Sequence, residues 1–98
     1  MYARVAKWEG AEADAVRKMA EEISSDAESG PPEGVPAKGF TLLIDPDGGR
    51  TIAIGLFETE EDRRKGDETL NSMNPPSGDE MGSRTGVEMY EVAVDMRL

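Results

Sequence analysis

Cysteine and histidine are both absent from this chain of 98 residues, and each absence removes a class of chemistry. Without cysteine there is no disulfide, which fits a reducing compartment. Without histidine the commonest general base near neutral pH is missing, as is the commonest ligand of zinc and haem iron. Chemistry here would rest on carboxylates, Lys, Arg, Tyr, Trp, Asn or hydroxyls. Long apolar runs are also lacking. No stretch approaches the ~18 residues that span a bilayer, and residues 1–20 carry Glu9, Glu12 and Asp14 where a signal peptide would be apolar. These features predict a cytoplasmic protein with no membrane partner.

Positive charge is scarce as well. Against 21 acidic residues stand 11 basic ones, a net charge of −10 that repels phosphate backbones and anionic lipid. The densest basic cluster, Arg63-Arg64-Lys65, is hemmed in by Glu60, Glu61, Asp62, Asp67 and Glu68. It reads as a solvated helix face with local ion pairs, so no nucleic-acid partner is expected. A chain of this length forms one domain, residues 1–98, and buries about two thirds of its unfolded surface, a modest core.

What is present reads as six elements. The opening "MYARVAKWEG" alternates Ala3, Val5 and Lys7 against Tyr2, Arg4, Ala6 and Trp8, the pattern of a strand that stops at Gly10. In the next segment, residues 11–29, Val16, Met19, Ala20, Ile23 and Ala27 form one helical stripe. "GPPEGVP" ends that helix. Residues 39–45 and 50–57 form a hairpin around Pro46, Asp47, Gly48 and Gly49. Its "DPDGG" is a turn and not a calcium loop: counted from Asp45, the twelfth position, where an EF-hand needs glutamate, is Leu56.

Residues 58–73 predict a second helix. Thr59 with Asp62 resembles a capping box, Leu70 and Met73 are its apolar anchors, and Gly66 weakens its middle by about 1 kcal/mol relative to alanine. A loop rich in Pro, Gly and Ser follows. "VEMYEVAVDM", residues 87–96, then alternates Val87, Met89, Glu91 and Ala93 against Glu88, Tyr90, Val92 and Val94 as a fourth strand.

The order β-α-β-β-α-β predicts an α+β, ferredoxin-like domain, with both helices on one face of a four-stranded antiparallel sheet. The other face should then be polar. Instead Ile52, Ile54 and Leu56 oppose Ala53, Gly55 and Phe57, while Phe40, Leu42 and Ile44 oppose Thr41 and Leu43. Two helices cover one face only, so a homodimer packing sheet on sheet is expected. A standard interface covers ~800 Å² per partner, about the scale of a sheet face. If roughly half of ~1,600 Å² were apolar, the gross gain would be ~20 kcal/mol, much of it offset by association entropy.

The opening strand, the hairpin run "LLIDPDGGRTIAIGLFETEED" and the closing "GVEMYEVAVD" together resemble the dimeric α/β-barrel superfamily. Within it they are similar to small bacterial proteins of the antibiotic-biosynthesis monooxygenase type. The resemblance spans the chain apart from the loops at residues 30–38 and 74–85. It implies a homodimer whose sheets close into a barrel, with a pocket in each subunit between sheet and helices. Members include cofactor-independent oxygenases of aromatic polyketides, haem-degrading enzymes and signal-molecule modifying enzymes. The haem-degrading members use a histidine ligand, which this chain lacks. The polyketide oxygenases use a pocket of Asn, Trp, Tyr and Arg, with no position-by-position match here.

Candidate site residues follow from the same pattern. Arg4 shares a strand face with Trp8 and Tyr2, and a guanidinium among aromatics suits a catalytic enolate or phenolate; the alternative is an inter-subunit ion pair. Trp8 and Phe57 would clamp a planar substrate, or simply pack at the sheet edge. Tyr90 offers a catalytic hydroxyl, or is a hydrogen-bonded core tyrosine. Asn71 would point into the pocket or cap a carbonyl. Glu88 and Glu91 fall on opposite faces and make no catalytic pair. Met19, Met73 and Met89 read as core filler. No cofactor and no metal is called for. The resulting expectation is a cofactor-independent, monooxygenase-like homodimer acting on a small planar organic substrate. The alternative is a non-catalytic small-ligand-binding or interaction module on the same fold.

Overall fold

A computed structural model of the chain describes residues 1–28, 30, 34–72 and 82–96. Six elements run in the order β1 (Tyr2–Glu9), α1 (Ala13–Ala27), β2 (Gly39–Asp45), β3 (Arg50–Phe57), α2 (Glu60–Ser72) and β4 (Ser83–Glu91). All strand pairings are antiparallel and the sheet order is β2-β3-β1-β4. This is the ferredoxin-like α+β arrangement.

Local chemistry accounts for the element ends. At the hairpin, the Asp45 carboxylate accepts from Gly48 N at 3.2 Å and from Arg50 Nη2 at 2.6 Å, while Pro46 O accepts from Gly49 N at 3.2 Å. Gly49 has a φ of 67°, and a Cβ there would collide with the Ala11 carbonyl oxygen. Glycine alone therefore lets the hairpin turn lie against the β1–α1 connection. At the start of α2, Thr59 Oγ1 accepts from Asp62 N at 3.1 Å, half of the expected capping box. Glu60, Glu61 and Asp62 fill the first turn, where the helix dipole favours acid.

The register assigns each side chain to a face, because residues directly opposite in an antiparallel ladder point the same way. Arg4 bonds to α2 and Phe57 lies under it, so Tyr2, Arg4, Ala6 and Trp8 face the helices, with Thr51, Ala53, Gly55 and Phe57 beside them on β3. Ala3, Val5 and Lys7 face away, with Ile52, Ile54 and Leu56 on one side and Glu88 and Tyr90 on the other. The core is thin. Val16 and Met19 from α1 are fully buried against the helix side, as are Ala6 and Phe57.

Two expectations are corrected. The fourth strand begins four residues earlier than 87 and ends at Glu91, not at residue 96. A strand lasts only as long as its neighbour, and β1 runs out at Tyr2, which pairs with Glu91; beyond it a single bond joins Val92 N to Met1 O, and Val94 is exposed. Among its described residues helix α2 is not anchored by an apolar stripe. Leu70 is half-buried, Met73 lies outside the described residues, and the only buried position among its described residues is Gly66. A Cβ at Gly66 would sit 2.6 Å from Phe57 Cε1 and 2.7 Å from Cζ. The glycine that weakens the helix locally is what lets it settle onto the ring. Among the described residues no helix is long and apolar enough to cross a membrane.

Candidate functional site

The candidate residues divide between the two faces of the sheet. On the helix side, Arg4 is buried and its Nε donates to Asp67 Oδ1 at 2.8 Å; the side chains are 7% and 24% exposed. Arg4 Nη2 donates to Asn71 Oδ1 at 3.2 Å. The same oxygen accepts from Arg84 Nη1 at 2.8 Å. Two guanidiniums from β1 and β4 thus meet on one neutral amide oxygen near the C-terminal end of α2. That helix has no basic residue in its own last turn, and strand residues supply the positive charge its dipole favours there. The ion pair expected for Arg4 between subunits is made within the chain.

Further along the same face, the Arg63 guanidinium lies 5.2 Å from the centroid of the Tyr2 ring and donates to the Tyr90 carbonyl at 3.0 Å. Its side chain is 15% exposed. Arg63 is therefore not part of a solvated face, as the charge run suggests, because the helix phase turns it onto β1 and β4; Arg64 and Lys65 remain exposed. Between α2 and β4 lies a half-open cleft of about 190 Å³, lined by Glu60, Arg63, Arg64, Asp67 and Met89. Met89 is 40% exposed here and is not core filler, since α2 packs over β1 and β3 and leaves β4 largely uncovered. A second, shallower depression between α1 and Ile44 of β2 opens to solvent. Neither depression is lined by Arg4, Tyr90, Trp8 or Phe57.

Tyr90 stands on the open face, opposite Ala3. Its hydroxyl donates to Glu88 Oε2 at 2.6 Å, and Lys7 Nζ pairs with the other carboxylate oxygen. Hydrogen bonding from Lys7 and then Tyr90 holds the Glu88 carboxyl below its ordinary range. The bond to Glu88 in turn raises Tyr90, and raises Lys7 together with their mutual attraction. Tyr90 is hydrogen-bonded as one reading had it, but at 49% exposure it is no core residue.

Four of the sequence candidates, Tyr2, Arg4, Trp8 and Asn71, share the helix side with Phe57, and Tyr90 does not join them. Trp8 and Phe57 form no clamp. Trp8 pairs with Thr51 and Phe57 with Tyr2, which separates them by six residues, about 20 Å along the strands. Phe57 is also sealed beneath α2. Asp67 and Arg84, which complete the polar cluster, escape sequence reasoning because each looks like one more surface charge. Among the described residues, no group of carboxylates is arranged to hold a metal ion.

No family model matches the chain, and no curated protein matches it. The ferredoxin-like fold stands on the topology alone.

Proposed function

We propose that the protein is a homodimer joined through the open faces of its sheets, and that each protomer binds a small organic molecule on its helix side. One observation carries this reading: Val5, Ile52, Ile54 and Leu56 are only partly covered, and Leu43 is 48% exposed, all on a face that no helix shields among the described residues. A contiguous apolar field of this kind marks an interaction surface.

Charge favours a second copy as the occupant. The strand residues of the open face contribute Lys7 and Arg50 against Glu9, Asp45 and Glu88, one net negative charge of the chain's ten. Two acidic molecules approaching through this face meet little of their mutual repulsion. The pairs Lys7–Glu88 and Arg50–Asp45 lie toward the margins of the apolar field, the arrangement of a polar rim around an interface centre. Sedimentation velocity at micromolar concentration tests the assembly. Wild type is expected at twice 10.6 kDa and Ile54→Lys at the protomer mass. A folded wild-type monomer overturns it.

On the helix side, binding without conversion is the first reading, because Arg4 and Tyr90 lie on opposite faces and cannot act on one bound molecule within a protomer. A cofactor-independent, monooxygenase-like enzyme is the second. What favours it is Arg4, a buried guanidinium on the same face as Tyr2 and Trp8, the groups that would steady an organic anion while it reduces dioxygen. An oxygen electrode separates the two. Dioxygen uptake on adding planar phenols to the pure protein decides for the enzyme, and a ligand-dependent rise in Tm with an unchanged ligand spectrum decides for the binding module.

A further inference from the structure

The helix-side cluster has a charge imbalance that points to a class of ligand. Arg4 and Arg84 both donate to Asn71 Oδ1, at 3.2 and 2.8 Å, and among the described residues only Arg4 has a carboxylate partner, Asp67. Among the described residues two guanidiniums thus face one carboxylate, an excess of one positive charge within a chain of net charge −10. A guanidinium carries five N–H donors in a planar fork. Arg4 directs one to Asp67 and one to Asn71, and the bond to Asn71 is the interaction Arg84 makes among the described residues. The bonds to this neutral amide oxygen are charge-assisted from the donor side alone, and a carboxylate oxygen in its place would add the opposite charge and match the guanidinium fork.

The surroundings suit an anion with an apolar body. Ala6, fully buried, separates Arg4 from Trp8 on the helix face of β1, so the cluster opens toward β4, where Val87 is partly covered and Arg84 is exposed. Trp8 itself stands opposite Arg84 across the β1–β4 ladder. A β-bulge between Lys7 and Trp8 in the pairing with β4 shifts the register at this point. Bulges of this type re-aim side chains, and here the residue after the shift is Arg84, which reaches α2.

We propose that Arg4 and Arg84 form a binding site for a small carboxylate, whose oxygens take the place of Asn71 Oδ1 as the shared acceptor while its apolar part lies toward Trp8. The site rests on the reading of the helix side as the ligand side, and it gives that reading its chemistry: a monocarboxylate is preferred over its neutral amide. A purely structural role, in which the two arginines only dock the end of α2, predicts no such preference.

Trp8 is the sole tryptophan, so its fluorescence reports on this site directly. The probe is benzoate, with benzamide as its uncharged counterpart, followed by Trp8 emission and by titration calorimetry on the whole chain. Benzoate is expected to bind at least ten-fold more tightly than benzamide. Arg84→Gln, an exposed position whose side chain makes one hydrogen bond among the described residues, is expected to stay folded and lose at least ten-fold in benzoate affinity. Asn71→Asp places a resident carboxylate between the guanidiniums; it is expected to raise Tm and abolish benzoate binding. Equal affinity for benzoate and benzamide overturns the site. So does full benzoate affinity in either variant, with circular dichroism confirming that each is folded. If benzoate fails to bind while wild type still sediments as a dimer, the carboxylate site falls and the assembly stands.

Discussion

The two faces of one four-stranded sheet solve the same problem by opposite means. On the helix side the chain has little hydrocarbon to bury under α2, and it substitutes an ion pair and a glycine: Arg4 to Asp67 at 2.8 Å, and Gly66 laid over Phe57. On the open side the hydrocarbon is plentiful, but neither helix covers it among the described residues, and the polar groups sit toward the edge as the exposed set Lys7, Glu88 and Tyr90. The same residue types therefore carry different weights. A charge pair under a helix, with most of its solvent gone, holds an element in place, whereas a pair in water contributes little.

Breaking the covered pair should have the largest effect. Arg4→Ala leaves Asp67 without its partner under α2, and a loss of about 3 kcal/mol in urea denaturation is expected. If the loss were below about 1 kcal/mol, the guanidinium would not be what anchors α2. Next is the glycine. Gly66→Ala gains up to about 1 kcal/mol of helix propensity but drives a methyl into the Phe57 ring, and overpacking of this kind costs about 1–3 kcal/mol. A net loss of about 1 kcal/mol is expected, reversed in part when Phe57→Leu is added to Gly66→Ala; a stabilised single variant would show that α2 can lift off the sheet freely.

A smaller gain is available on the same side. Thr51 is buried and its Oγ1 has no hydrogen-bond partner among the described residues. Thr51→Val replaces that hydroxyl with a methyl of the same shape and should add about 1 kcal/mol, read as a rise in the denaturation midpoint. An unchanged or lowered midpoint would mean the hydroxyl is satisfied in solution.

The smallest effect belongs to the open face and concerns pH. The Glu88 carboxyl is lowered by its bonds from Lys7 and Tyr90, so its contribution is present above the ordinary carboxylate pKa and lost as pH falls through its folded value. Tyr90 and Lys7 are raised, so theirs is present below their ordinary values near 10 and lost as pH climbs through the folded ones. The trio is thus complete across the neutral range and fails at both ends. Glu88→Gln should flatten the acid limb of the Tm–pH curve slightly, and an unaltered acid limb would show that the trio does not steady the face. Because all three groups are solvent-exposed, Arg4→Ala should exceed this effect severalfold, and a reversal of that order would erase the contrast between the faces.

Much of the architecture is legible in the sequence because it depends on local rules. The hairpin bounds, residues 39–45 and 50–57, coincide with β2 and β3, since the turn residues Pro46 to Gly49 and the two-residue alternation act over a few positions. The Val16 and Met19 stripe of α1 is legible for the same reason. The site is less so. Arg4 bonds to Asp67 and Asn71 across 63 and 67 residues of sequence, and nothing near Arg4 distinguishes those two from other polar residues of α2. Tyr90 looked equivalent to Arg4 as a polar group among apolar neighbours, but the ladder opposite Ala3 puts it on the other side.

By itself, then, the sequence determined the order of the elements, the turns between them and the fact that both faces of the sheet carry hydrocarbon. Alternation, helical phase and turn preference are properties of neighbouring residues. Tertiary structure alone decided where β4 stops, why Gly66 lies in a helix, and which charges meet beneath it. Those outcomes depend on where α2 and β4 come to rest against β1 and β3, and the partners in that packing are dozens of residues apart in the chain.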